Sequence, residues 1–373
     1  MFTIIKHSNN SQYSFRLFHR QSGAAFIVLI SMLVLTSTVL VLGQVSRNQH
    51  IIGREANTTA QLQSARDALL GYALSQQPPG VLPCPDTDGD GDADSTGGAC
   101  DAVAALLPFR TLGLDRLMDA SGTSLWYAVD PIYAVGSAPF NSSRLSNLNV
   151  NDTPVAFVLM APGETLNGQV RPSGNLTPSN FFEGASGDTD TYRYEQQASD
   201  DNNDRLLPYF SGAYWALIEN SVVLPTAVAT LVNYASVCGA YPWAATFNSA
   251  SLESVNSLQQ GGLPVDSSTA SNASVCSANL VLPSWFHDHW AAIIQYSMCQ
   301  NAQGQCLLVT GDESASTAAI VIAPGIAIAG QSRPSSLLSQ YFENVNQLTI
   351  NQFLYRSIKN HDGSVNDVLH YLP

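Results

Sequence analysis

The segment Asp86-Thr-Asp88-Gly-Asp90-Gly-Asp92-Ala-Asp94 sets five carboxylates at alternate positions, with glycines between three of them. Carboxylates this close repel one another, and a divalent cation turns the repulsion into cross-linking. Calcium takes about six to eight oxygen ligands, and glycine lets a short loop turn sharply enough to present several of them. The spacing nominates Asp86, Asp88, Asp90 and Asp94 as ligands, with Asp92 as an outer partner. The bidentate glutamate that closes an EF-hand loop is missing. Cys84 and Cys100 bracket the loop and would staple its ends. A solvated acidic turn without metal is the competing reading. An ion held here would serve folding rather than catalysis.

The alternating pattern resembles the calcium loops of dockerin- and thrombospondin-like repeats, which implies Ca2+ as a structural ligand. A second acidic stretch, Asp188, Asp190, Asp200, Asp201 and Asp204, lies among Gly, Ser and Asn residues. Charge runs of this kind are usually solvated faces, so it reads as a hydrated loop belonging to the first half of the chain alone. In His287-Asp288-His289 a strand would put both imidazoles on one face, where they could share a metal. No third ligand is identifiable, and a polar loop is the expectation. The sequence has no G-x-S-x-G elbow, H-E-x-x-H helix, Walker loop or dinucleotide fingerprint, so no enzymatic activity is expected. The 373 residues carry a formal net charge of −14, which argues against nucleic acid or an anionic membrane surface as a partner of the main body.

What must position these residues is written twice. Val155–Gly184 reads against Ala319–Asn344, with Ala161-Pro-Gly163 matching Ala323-Pro-Gly325 and Gly168-Gln169 matching Gly330-Gln331. Arg171-Pro172 matches Arg333-Pro334, and Phe182-Glu183 matches Phe342-Glu343. The offset, roughly 160 residues, suits duplication of a whole domain rather than a solenoid period. Upstream, Leu69-Leu-Gly-Tyr-Ala73 and Leu82-Pro-Cys84 match Leu231-Val-Asn-Tyr-Ala235 and Tyr241-Pro-Trp243. Trp126 and Trp290 read as the corresponding tryptophans of the two copies. Each copy is expected to run helix, Pro turn, loop, a strand at the Trp and a second strand ending at Ala-Pro-Gly, then a short helix around the Phe-Glu pair. Helical stretches near Tyr214–Asn220 and from Thr226 to Ala235 supply the second copy's spine, with Pro225 in a first turn.

At the other end, about 20 residues after Gly23 run without a charge, enough for one bilayer crossing. A basic leader with Lys6, Arg16 and Arg20 precedes them and places the bulk of the chain outside the inner membrane. An apolar stripe continues through Ile51, Ile52, Ala56, Ala60, Ala65, Leu69 and Ala73. This arrangement resembles the type IV pilin and type II secretion pseudopilin superfamily. The resemblance implies an α+β fold: a long N-terminal membrane and amphipathic helix followed by two tandem pilin-like heads, each a helix packed on an antiparallel sheet. It divides the chain into a leader (1–23), the helix (24–75), a first head with the Asp-rich loop (76–220) and a second head (221–373). It also implies cleavage after Gly23 by a prepilin peptidase, a methylated Ala24, and partnership with other pilin-like subunits through the helix. The implied protein is a minor pilin or minor pseudopilin of a Gram-negative bacterium, held in the inner membrane with periplasmic heads before filament assembly. Most members carry Glu at the fifth mature position, where this chain has Val28; subunits at a filament tip resemble it in that respect. An adhesin and a simple anchored periplasmic protein are the alternatives. All six cysteines follow the apolar segment, an even count outside the membrane that favours disulfides over zinc, for which no CxxC spacing exists. Nearest-neighbour pairing is expected, Cys84–Cys100, Cys238–Cys276 and Cys299–Cys306, although sequence leaves other pairings open.

Overall fold

The computed structural model describes residues 22–137, 139–166, 168–171, 176–183, 193–194, 202–248, 252–265, 276, 280–299, 304–328, 330–347, 352–355 and 366–372. The chain forms two compact units, Met1–Ala56 and Asn57–Pro373. Lys6, Arg16 and Arg20 lie outside the described residues.

Helix α1 (Ser22–Ser75) begins in the first unit. There, every residue from Phe26 to Val39 is exposed, and none is charged. The hydroxyls of Ser31, Thr36, Ser37 and Thr38 donate to backbone carbonyls one turn back, at 2.6–3.0 Å. Even the polar side chains of this stretch are therefore satisfied by their own helix and offer little to water.

In the second unit, α1 buries Leu62, Ala65, Leu69 and Ala73 along one helical face. They join an apolar cluster with Tyr127, Val129, Phe157 and Leu159. Ala56 and Ala60, expected on the buried stripe, are exposed, and Leu62 occupies the face instead. The side chains of Ile51 and Ile52 lie outside the described residues.

Strands β1 (Ser95–Thr96) and β2 (Ala99–Cys100) pair as a small hairpin. After them come β3 (Ala104–Leu106), β4 (Trp126–Val129), helix α2 (Pro131–Val135), β5 (Asn149–Val150), β6 (Thr153–Ala161), β7 (Arg193–Tyr194) and β8 (Arg205–Phe210). Helix α3 (Ser211–Ile218), a π turn (Glu219–Val223) and α4 (Leu224–Cys238) follow without interruption. The remainder holds β9 (Gln260–Gly262), α5 (Ser284–His289), β10 (Gln295–Met298), β11 (Leu307–Gly311), β12 (Ala315–Thr317), β13 (Ala319–Ala323), β14 (Gln352–Tyr355) and β15 (Val368–Leu372).

One strand order occurs twice. Antiparallel neighbours run β3-β4-β6-β8 in one sheet and β9-β10-β13-β15 in the other. Beside them, β5 pairs antiparallel with β6 and parallel with β7, while β11 pairs antiparallel with β12 and parallel with β14. The helical face recurs too, with Leu224, Ala227 and Leu231 of α4 buried at the spacing of Leu62, Ala65 and Leu69. The whole is a mixed α+β fold with several antiparallel sheets and few helices.

The stretch Ser211–Cys238 has the length and apolarity to cross a bilayer. Its Tyr214, Trp215, Ile218, Leu224, Ala227 and Leu231 are nevertheless buried within the unit, as in a core helix. Pro225 falls in the first turn of α4, directly after the π turn that continues α3, and Gly239 ends the helix at φ 72°.

The tryptophan correspondence does not hold. Trp126 opens strand β4, whereas Trp290 caps helix α5. The residues that match are Tyr127 and Tyr296, whose hydroxyls donate to the carbonyls of Pro83 (3.1 Å) and Pro242 (3.0 Å). In this register Trp126, opposite Met160, corresponds to Gln295, opposite Ile322. Its indole packs on Phe181 and Phe182 with centroids 4.8 and 5.2 Å away, and in the second copy Phe247 takes that place against Tyr341 and Phe342, at 5.3 and 5.7 Å. A strand tryptophan and a loop phenylalanine thus fill equivalent space.

Replacing Leu69 or Leu231 by Ala should each cost about 2–5 kcal/mol, because both are buried on helices that cover a sheet. Urea unfolding of the full chain in detergent, followed by circular dichroism, measures this; losses near zero would contradict the assigned packing.

Candidate functional site

The acidic loop is built from local chain geometry. Asp86 bridges to β3 through paired backbone bonds with Leu106, at 3.0 and 2.9 Å, which carries its side chain inward until it is fully buried. Its two carboxylate oxygens accept from the amides of Gly89 (2.6 Å) and Gly91 (2.8 Å). Gly91 has φ 98°, and a Cβ there would stand 2.5 Å from the Phe109 ring, so only glycine fits. Asp88 accepts from the Asp90 amide and Asp90 from the Asp92 amide, while Asp94 caps both the amide and the hydroxyl of Thr87 at 2.7 and 2.5 Å.

Asp86, Asp88 and Asp94 each bring an oxygen to within 4.8 Å of the others. Asp90 and Asp92 are not in that group, and Asp92 stands 4.0 Å from Arg110. Burial pushes the Asp86 carboxyl up, against the pull of the Gly89 and Gly91 amides, and the nearby Asp88 and Asp90 add to the rise. The Thr87 hydroxyl and amide hold Asp94 below the usual carboxylate range. Hard carboxylate oxygens suit calcium, but Asp86 commits both of its own to backbone amides. Three carboxylates also fall short of a full calcium shell, so the loop is at least partly self-capped. The disulfide Cys84–Cys100, Cα atoms 5.2 Å apart, closes the segment around it. Cys238–Cys276 and Cys299–Cys306 complete the nearest-neighbour pairing.

A second constellation appears once in each sheet. Arg171 donates to the carbonyls of Gly163 (2.8 Å), Asn180 (2.9 Å) and Phe181 (2.5 Å) and to Gln169 Oε1 (2.7 Å). Arg333 donates likewise to Gly325 (2.7 Å), Gln340 (2.8 Å), Tyr341 (2.8 Å) and Gln331 Oε1 (2.6 Å). Each guanidinium also lies over a ring, 5.2 Å from Phe181 and 4.9 Å from Tyr341. The glutamines pass the contact on, Gln169 Nε2 to Glu183 (2.5 Å) and Gln331 Nε2 to Glu343 (2.6 Å).

Behind each glutamate stands an Asn-Asp pair that leads into the last strand. The Asn203 and Asn366 amides donate to Glu183 Oε2 and Glu343 Oε2, and the Glu183 and Glu343 amides donate to Asp204 Oδ2 (2.8 Å) and Asp367 Oδ2 (3.1 Å). Gly163 (φ 69°) and Gly325 (φ 59°) pass so close that a Cβ would stand 2.9 and 2.6 Å from the Asn203 and Asn366 carbonyl oxygens. Burial pushes Asp204 up to about 8 and drives Asp367 well above its ordinary value, with the adjoining glutamate charge adding to both.

These contacts correct two readings of the acidic residues. Asp204 is buried, not part of a hydrated loop, and its counterpart Asp367 shows that the feature is not confined to the first copy. Asp188, Asp190, Asp200 and Asp201 lie outside the described residues. The Asn-Asp dipeptide preceding the last strand of each copy was the available signal.

His287-Asp288-His289 is a helical turn in α5, not a loop, and its imidazoles part company. His287 pairs with Asp288 at 3.1 Å, whereas His289 Nδ1 accepts the Phe140 amide at 2.9 Å. His289 O also accepts from Asn141, so this histidine joins the two copies rather than holding a metal. No family model, curated protein or solved structure matches the chain.

Lysine in place of Arg171 or Arg333 keeps the charge but loses the planar fork, and each variant should lose about 2 kcal/mol or more of stability. Thermal unfolding measures it; an unchanged midpoint would show that the fork carries no weight. If the acidic loop takes calcium, millimolar CaCl2 should raise the midpoint of the native chain but not that of Asp88→Asn/Asp94→Asn. An identical midpoint with calcium and with chelator would leave a self-capped turn.

Proposed function

We propose that this chain is a non-enzymatic filament subunit, a minor pilin or minor pseudopilin of a type IV pilus or type II secretion system, placed at or near the tip. The observation that carries the reading is the character of α1. Its first unit holds fourteen consecutive exposed, uncharged residues from Phe26 to Val39, with hydroxyls bonded back to the helix. A helix apolar on every side belongs in lipid or among like helices. Farther along, the same helix buries Leu62, Ala65 and Leu69 in the second unit. A helix of that kind can wait in a membrane and later pack beside its equivalents in a filament while carrying a polar load.

Val28 supports a place at the end of a filament. A carboxylate at that position would neutralise the amino-terminal charge of a neighbouring subunit, and an unpaired charge in such a core costs several kcal/mol. An exposed valine makes no such pair. The repeated strand order and the repeated arginine constellation support a double head of pilin type, in which calcium at Asp86, Asp88 and Asp94 would aid folding. The constellations themselves tie backbone to backbone, which suits a structural role.

Mass spectrometry of the purified native chain should find Ala24 as a methylated amino terminus, and Gly23→Leu should leave the precursor at full length. Normal maturation of that variant, or a native chain that keeps its first residues and never enters a filament, would overturn the proposal.

A further inference from the structure

Around each clamp arginine stand three carboxyl groups. Arg171 faces Glu183, Asp204 and Asp119, and Arg333 faces Glu219, Glu343 and Asp367. Asp119 Oδ2 accepts the Gly163 amide at 2.8 Å. In the second copy Glu219, on the π turn of the joining helix, stands beside the Gly325 amide. One fixed positive charge cannot balance three negative ones, of which Asp119 and Asp204 in the first copy and all three in the second are buried, since a buried unpaired charge is expensive.

One orphan atom recurs in both copies, and in the second the two carboxylate oxygens of Glu219 are buried and unpartnered as well among the described residues. Asp204 Oδ1 and Asp367 Oδ1 are buried and have no hydrogen-bond donor among the described residues. Each belongs to a carboxyl that lies against its glutamate partner, Glu183 or Glu343. A buried acid in contact with a second one is neutralised most simply by a proton between them, as in carboxyl dyads generally.

We propose that each arginine clamp is closed by a shared proton, held between Asp204 and Glu183 in one copy and between Asp367 and Glu343 in the other. The lock joins the Ala-Pro-Gly turn, the Phe-Glu segment and the last strand of each sheet, and rising pH releases it.

The groups facing Asp204 are Glu183 and Arg171, with Asp119 beyond the guanidinium. Those facing Asp367 are Glu343, Asn346 and Arg333, with Glu219 and Tyr341 beyond it, while His370 farther along β15 is engaged by Asn220 at 2.9 Å. Burial pushes Glu219 up to about 8, with Ser142, Arg333 and the Gly325 amide opposing, and it raises Glu343 as well. The direction follows. An acid that holds its proton more tightly in the fold than in the unfolded chain stabilises the fold fully in acid. That contribution shrinks as pH climbs from the ordinary carboxylate range to about 8.

The test is thermal unfolding of the full chain in detergent at fixed salt. Between about pH 5 and about pH 9 the midpoint should fall by about 5 °C or more. In Asp204→Asn/Asp367→Asn the side-chain amide donates where the proton did, so the midpoint at low pH should stay near that of the native chain and the pH dependence should shrink by half or more. A native midpoint that is flat or rises with pH, or a variant that keeps the full dependence, overturns the proposal. So does a calcium-induced rise at alkaline pH that this variant abolishes, which would make the pairs a cation site. Should the variant fail to fold, infrared spectroscopy of the native chain decides. A protonated-carboxyl stretching band present at neutral pH and fading toward pH 9 is expected, and its absence at neutral pH overturns the idea.

Discussion

A planar guanidinium bonded to backbone carbonyls of two separate segments and to a glutamine side chain is the contact on which each half of Asn57–Pro373 turns. Arg171 and Arg333 gather the turn after the central strand, the aromatic segment and a glutamine that reaches the glutamate. Without that gathering, the chain between β6 and β8, or between β13 and β15, would have carbonyls turned inward with nothing to satisfy them. Arginine suits the task because five donors in a rigid fork can serve several acceptors at once. The glycines at 163 and 325 are part of the same device, since their left-handed backbone and absent side chain let the Asn-Asp segment cross at contact distance.

The two halves solve one problem with different residues. In the first, Trp126 fills the space between sheet and aromatic segment. In the second, Phe247 arrives from a loop and Gln295 stands on the strand, buried and without partners for its amide among the described residues. The third carboxyl comes from Asp119 in the first copy and from Glu219 on the joining helix in the second. What has been kept is the backbone network and the charge pattern. What has drifted is the source of the side chain that completes them.

How much of this could be read beforehand follows from how local each signal is. The strands at Val155–Met160 and Ala319–Ile322, Pro225 in its helix turn, and the Arg, Gln and Glu of both clamps show in sequence because short spacing determines them. Asp204 and Asp367 did not show, since each meets its glutamate only after some twenty residues of intervening chain, and an aspartate in a polar run looks like any solvated one. Trp126 and Trp290 share a residue type but not a place in the strands, and strand register decides which residues correspond. In the acidic loop, alternation marked five aspartates, but the turn closes at Gly89 and Gly91 and gathers only three of them.

The asymmetry of the third carboxyl has a consequence for how the halves depend on one another. Glu219 belongs to the helix that joins them, and Ser142 of the first half lies beside it, so the surroundings of Arg333 are complete only when the first half is in place. The joint is otherwise apolar and tight. Trp215 and Trp290 meet at 5.6 Å, Phe140 packs on Trp215 at 5.1 Å, and His289 takes the Phe140 amide. Buried side chains of both halves meet in one apolar cluster, from Leu62 to Leu372, while a second cluster around Trp126, Phe181 and Phe182 belongs to the first half. The two sheets thus share one of their apolar clusters, and parting the halves would expose buried side chains on both.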